Sequence, residues 1–191
     1  MKNLKLFRVL LAIAILGLLD SCLLRAAEFN IKSGSKVRFE YQIAAIDFIG
    51  SFDIKSSMFN LSPRSPNESK VDITFDVANS SAGFSLATKL MLGDKVLDSE
   101  NYPFMKFRSK TIEYVDNVFK IQGFLTIRGI TKPAVIRAYL SNPKNKPLYK
   151  LKQFEFEIVG DINRNDFGAG GYAPLVGSHV RLKSRVTLEA N

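Results

Sequence analysis

Apolar and polar residues alternate at a period of two in stretch after stretch of this chain, a pattern that suits half-buried β-strands and little else. The sharpest instance sets Val71, Ile73, Phe75 and Val77 against Asp72, Thr74 and Asp76. Val37, Phe39, Tyr41 and Ile43 share one face over residues 35–43; Phe48, Gly50, Phe52 and Ile54 continue it over 46–54 after a short bend. Met105, Phe107 and Ser109 follow. Phe119, Ile121, Gly123, Leu125 and Ile127 then face away from Lys120, Gln122, Phe124, Thr126 and Arg128. Ile136, Ala138 and Leu140, then Phe154, Phe156, Ile158, Gly160 and Ile162, then Val180, Leu182, Ser184, Val186 and Leu188 complete the series. That makes about eight strands. Half-buried strands with short connections pair antiparallel, and eight can close into a barrel just wide enough for side chains or one small ligand. A β-sandwich of the same strands is the rival that alternation leaves open.

The breaks are equally legible. Gly129 turns a hairpin whose tip is 128–133, with Pro133 expected to start the second strand, where a missing N–H costs least. Gly50 inside a strand predicts a bend or bulge. Pro63, Pro66 and Asn67 make 60–69 a loop, and 141–147 is another. Residues 79–83 resemble a helix entry, and 84–97 space apolar residues helically: Phe84, Ala87 and Met91 on one stripe, Leu86, Leu90 and Leu97 on its neighbour. Gly93-Asp94 is expected to split this insertion into two short helices. Tyr102-Pro103 returns the chain to extended form. The glycine-rich stretch 165–177 is expected to be an exposed, mobile connection.

Lys2, Lys5 and Arg8 precede an apolar run over 9–19, and Ala26-Ala27 offers a small-residue exit. This describes a secretory signal over 1–27 and leaves one domain, 28–191. Leu19-Asp-Ser-Cys22 resembles a lipoprotein box, so a membrane tether at Cys22 stays open beside simple cleavage. The expected location is periplasmic or secreted. With one cysteine in the chain, no internal disulfide can form, and stability must come from the core.

No catalytic set stands out. His179 is the sole histidine and reads as a surface or capping residue at the head of the last strand. A triad would need it aligned with a serine and a carboxylate, and clustered metal ligands are absent from the sequence. Asp161 and Asp166 near Arg164 are expected to form a structural ion cluster. Gly168-x-Gly-Gly171 lacks the strand-to-helix setting of a phosphate loop. The formal net charge of +9 is scattered along strands, without a nucleic-acid motif. The expectation is a protein that is not an enzyme, needs no cofactor and binds no nucleic acid; a membrane-surface contact and a homodimer stay open.

Three segments in order carry a resemblance: Tyr102-Pro-x-Met-x-Phe107, then Gly123-x-Leu-Thr-Ile-Arg-Gly-Ile-Thr-Lys-Pro133, then Asn163-Arg-x-Asp-Phe-Gly168. Together they resemble the YceI-like family over about residues 28–190. The resemblance implies a mainly β fold, an eight-stranded antiparallel lipocalin-like β-barrel with a short helical insertion. It implies a periplasmic carrier of a long apolar or amphiphilic chain, such as a polyisoprenoid, quinone or fatty acid. Relatives commonly carry histidines in the first strands, where this chain has Tyr41, Ile43 and Ile46. That departure implies a less polar ligand head, or a mouth that opens onto a partner.

Alternation turns Phe39, Tyr41, Phe52, Phe75, Phe107, Phe119, Phe154 and Phe156 inward. With Met105, Ile121 and the helical residues Phe84, Leu90 and Met91, they are the candidate ligand-binding residues of a narrow tunnel. Burying a methylene contributes ~0.8 kcal/mol, so a ten-carbon tail grosses roughly 8 kcal/mol without any charged anchor. Lys89 or Arg128 is placed to meet an anionic head. The alternative is a cell-envelope interaction protein whose phenylalanines fill the barrel and whose apolar insertion docks a partner.

Overall fold

The computed structural model describes residues 27–32, 35–141 and 146–190. The expected leader up to residue 26, Cys22 included, lies outside them, as does most of the expected loop 141–147. The described chain forms β1 (Ala27–Ile31), β2 (Lys36–Ile43), β3 (Ile46–Leu61), β4 (Lys70–Ser81), α1 (Ser85–Leu92), β5 (Phe104–Val115), β6 (Val118–Ile127), β7 (Ile130–Leu140), β8 (Gln153–Asn163) and β9 (His179–Ala190).

From β2 to β9 each strand pairs antiparallel with the next, and β9 returns to β2 through Phe39↔Leu182 and Glu40↔Arg181. β1 lies between the far ends of β3 and β9, pairing Phe29 with Phe59 and Ile31 with Leu188. Since β1 and β2 are both antiparallel to the same two neighbours, they are two lengths of one stave. The product is a closed eight-stranded antiparallel barrel with one short helix. Closure leaves no sheet edge to template aggregation, and it rules out the sandwich.

Alternation holds wherever the ladder is regular. Val37, Phe39 and Tyr41 are buried between exposed Lys36, Arg38 and Gln42, and Phe119, Ile121, Gly123 and Leu125 repeat the pattern on β6. Two strands run further than their sequence signal. Alternation marks β3 only to 54, yet it reaches Leu61; it marks β5 only to about 110, yet that strand reaches Val115. The register shifts between Ile54 and Ser56, and again between Ser109 and Thr111. Lys55 and Lys110 are each the extra residue of a β-bulge, and one extra residue moves the inward face from even to odd positions or back. Hence Phe59 and Leu61 are buried after Phe52 and Ile54, and Ile112 after Phe107.

Close approach within the strands requires the glycines at 50 and 123. A Cβ on Gly50 would stand 2.2 Å from the Phe39 Cζ and 2.6 Å from the Ser81 carbonyl oxygen. One on Gly123 would stand 2.3 Å from the Arg108 oxygen and 2.9 Å from the Phe107 Cζ. Each glycine lets a phenylalanine from the neighbouring strand lie flat over the backbone.

Other expectations are corrected. β7 begins at Ile130, so Pro133 sits inside the strand, opposite Phe124 in a stretch that β8 does not pair. Residues 79–81 belong to β4 rather than a helix entry, and Gly83, at φ +93°, makes the turn into α1. The insertion holds one helix, not two, because Gly93 is extended (φ −69°, ψ 168°) and 94–97 form turns. Stretch 165–177 is exposed only in part: residues 173–175 are exposed, whereas Phe167 and Ala169 are buried, at 3 % and 2 % exposure.

Candidate ligand-binding cavity

The barrel axis is not filled. A cavity of about 250 Å³ runs between the inner faces of the strands and up to α1. On β9 its wall extends from Val180 to Leu188, about 27 Å of strand at ~3.4 Å per residue. At the ~40° tilt of barrel strands, this is about 20 Å along the axis. Beyond one end lies an aromatic plug: Phe154 packs edge-on to Phe29 at 5.0 Å and stacks on Phe156 at 6.0 Å.

The other end is capped by α1, residues 93–101 and the 164–178 connection. Ala87, Leu90 and Met91 of α1 face the cavity, whereas Leu86 is 62 % exposed. The 93–101 and 164–178 segments are joined by Gly171 N–H donating to the Lys95 oxygen at 3.0 Å. Arg128, at the tip of the β6–β7 hairpin, bolts both to the barrel. Its Nη1 donates to the oxygens of Asp94, Val96 and Gly168 at 2.8, 2.9 and 3.0 Å, and Nη2 lies 4.0 Å from Asp98 Oδ2. Arg128 therefore serves the cap and is not the free cation expected for an anionic head. Arg128→Ala is expected to leave these carbonyls short of a donor, a loss of ~1.4 kcal/mol. Amide exchange in 94–98 and 168–171 should then quicken about tenfold, while exchange in β6 and β7 stays as it was. Unchanged protection of the cap would refute the bolt.

Among the sequence candidates, Phe39, Tyr41, Phe52, Phe75 and Met105 line the upper cavity with Leu90 and Met91, and Phe107, Phe119, Ile121 and Phe156 line it lower down. Two do not reach it. Phe154 lies in the plug behind Phe156, its ring taken up by Phe29 on one side and Phe156 on the other. Phe84 precedes α1, is 42 % exposed and rests on Phe48 at 5.5 Å. Lys89 is exposed and borders a shallow groove beside α1, outside the cavity.

The structure adds wall residues that sequence reasoning missed. Phe59, Leu61 and Ile112 come from beyond the bulges; Ala169, Tyr172 and Val176 come from the glycine-rich connection. The signal available for the first two was Phe59-x-Leu61 just before Pro63.

The wall is apolar apart from a few groups that are already engaged. Tyr41 donates its hydroxyl to the Ala82 oxygen at 2.7 Å, and burial pushes its phenol above the usual value, so it remains a neutral donor. Ser69 accepts from Ser62 N–H at 3.0 Å. Arg164 is buried in the connection, with no ion cluster around it. The expected partner Asp161 instead meets His179 at 2.8 Å on the exposed rim. Among the described residues no group of His, Cys, Asp and Glu is placed to hold a metal ion. This geometry can bind a slender apolar chain.

Comparison with known proteins agrees on the architecture. The YceI-like domain family matches residues 30–188. A UPF0312 protein of Photorhabdus laumondii is 26 % identical over 163 residues, covering 80 % of this chain and 84 % of its own. Protein YceI of Escherichia coli O157:H7 is 25 % identical over 164 residues, covering 81 % and 85 %. Among solved structures, Burkholderia cenocepacia BcnA superposes with a TM-score of 0.72 at 21 % identity, covering 83 % of this chain and 99 % of that one. A polyisoprenoid binding domain from Saccharophagus degradans superposes with a TM-score of 0.58 at 11 % identity, covering 87 % and 99 %.

Proposed function

The chain belongs to the YceI-like domain family, and from that premise we propose that it is a binding and carrier protein for a long apolar or amphiphilic chain. The tail, of polyisoprenoid, quinone or fatty-acid type, lies along the barrel axis. The observation that carries this reading is the cavity itself. At ~24 cal/mol per Å³, a space of about 250 Å³ that no side chain fills forgoes about 6 kcal/mol. That is comparable to the whole net stability of many domains, ~5–15 kcal/mol. An apolar space stays dry, so water does not recover the loss, whereas an alkyl tail does at ~0.8 kcal/mol per methylene. A barrel filled by its own phenylalanines would leave no such space, which weakens the alternative of a sealed docking scaffold. Reaction chemistry has no candidate here, since the polar groups of the wall are occupied by backbone partners. The solved domain described as polyisoprenoid binding supports the same class of ligand. The charged start and short apolar run of residues 1–27 support a periplasmic or extracellular location.

Native mass spectrometry on protein produced from residue 28 onward tests the proposal, followed by organic extraction. A long-chain molecule carried through purification, or one-to-one uptake of an offered hexadecanoic acid, farnesol or quinone, is the expected result. A clean protein mass that takes up none of these would overturn it.

A further inference from the structure

Three segments that meet at the capped end of the barrel carry no charge. Residues 43–46, 83–88 and 167–178 contain no Asp, Glu, Lys or Arg, in a chain of which 24 % is charged. The first and third are tied together. Ala44 N–H donates to the Leu175 oxygen at 2.9 Å, Gly177 N–H donates to the Gln42 oxygen at 3.0 Å, and Ile43 bridges to Val176. The second joins them through Phe84, which packs on Phe48 at 5.5 Å. Inward, these segments supply Ile43, Ala87, Tyr172 and Val176 to the cavity wall. Outward, they leave Ile46 and Leu86 62 % exposed, Leu175 58 % and Phe84 42 %. Each segment thus has one apolar side on the cavity and another on solvent.

The opposite end is built otherwise. Arg64, Glu68, Lys70, Lys150 and Lys152 stand on the turns beside the plug, and Tyr149 lies under the cations of Arg64 at 5.3 Å and Lys150 at 6.0 Å. The two ends therefore suit different surroundings. At the capped end, four large apolar side chains present a patch on the order of 500 Å², the size that marks an interaction site. That is short of the ~800 Å² per partner of a standard protein complex. A lipid surface has no such requirement, because apolar side chains sink into the acyl boundary without a matching shape. The margin of the patch is compatible with phosphates: Lys89 and Lys95 are exposed and enter no ion pair among the described residues. Of the acids nearby, Asp47 accepts from Gln42 Nε2 at 2.8 Å, and Asp94 is exposed beside Lys95. The ligand class favours the same occupant. A long apolar chain resides in bilayers, and carrying it through water exposes every methylene that both bilayer and cavity bury.

We propose that this lip is a membrane-docking surface: it seats the capped end in a phospholipid bilayer while the tail is loaded or released, with the charged plug end left in water. The proposal rests on the carrier reading and deepens it, by naming the surface at which the ligand is exchanged.

Liposome flotation of the protein from residue 28 onward, with no added ligand, tests it. Vesicles of phosphatidylcholine alone, and of equal parts phosphatidylcholine and phosphatidylglycerol, are both expected to carry the protein with them. Leu86→Ser combined with Leu175→Ser should weaken partitioning about tenfold per leucine. Both side chains lie on the surface, so the thermal melt and the uptake of hexadecanoic acid from solution should stay as they were. No flotation with either vesicle, or equal flotation of the folded double variant, overturns the proposal. Binding confined to the phosphatidylglycerol vesicles and abolished by salt reports only general basic charge and overturns it too. So does a dimer in solution that the same two substitutions dissociate, since the lip would then belong to a second copy. Flotation without uptake of any long chain upholds the surface while the carrier reading falls; uptake without flotation does the reverse.

Discussion

Ala138→Phe is expected to leave a folded barrel that takes up long-chain ligands about 200-fold more weakly. Ala138 is 5 % exposed, lines the cavity, and stands between Phe119 on β6 and Ile158 on β8. It is one of the few small side chains on the inner surface, so a phenyl group there projects into the axis instead of into solvent. If the ring displaces roughly four methylenes of tail, the loss is ~3 kcal/mol at ~0.8 kcal/mol each, which is about 200-fold in affinity. The fold should tolerate the change, because the added carbon occupies existing space and carries no polar atom. Circular dichroism with a thermal melt establishes folding, and titration with hexadecanoic acid measures uptake. Full affinity in a folded Ala138→Phe protein would place the tail somewhere other than the axis.

Phe154→Ala is expected to behave in the opposite way, costing about 4 kcal/mol of stability with little effect on binding. Phe154 is among the most buried side chains, at 2 % exposure, with Phe29 edge-on at 5.0 Å and Phe156 stacked at 6.0 Å. Deleting the ring removes its transfer energy, opens a hole in the plug, and forfeits two aromatic pairs worth about 0.5–1.5 kcal/mol each. For a domain of this size, the melting temperature should fall by roughly 10 °C. Because Phe156 stands between Phe154 and the cavity, affinity per folded molecule should change less than about twofold. Affinity that falls in step with stability would show that the tail reaches the plug.

The contrast between these two residues marks how far sequence reasoning carries. Phe154 and Phe156 follow the same alternation and both turn inward, but only Phe156 meets the cavity. Parity gives the side of the sheet on which a residue lies. It does not give the distance between that residue and the one facing it across the barrel. Phe84 fails for a related reason: its helical spacing from Ala87 and Met91 is sound, but α1 starts one residue later and the ring is left on Phe48. Phe59 and Leu61 fall out of the alternation because a single inserted residue, Lys55, reverses the parity of β3, and nothing about a lysine between two strand residues announces a bulge.

Local chemistry alone determined that this chain makes half-buried antiparallel strands, where most of them lie and which residues turn inward. Side-chain direction in a strand is set by the backbone one residue at a time, so it is written in the order of residues. Only the tertiary structure decided that the strands close, that their side chains leave about 250 Å³ unfilled, and that Arg164 faces carbonyls instead of Asp161 or Asp166. Those outcomes are balances struck between atoms far apart in the chain. A cavity is what remains when the volumes brought by all the staves are subtracted from the circle they enclose, and no single segment carries that difference.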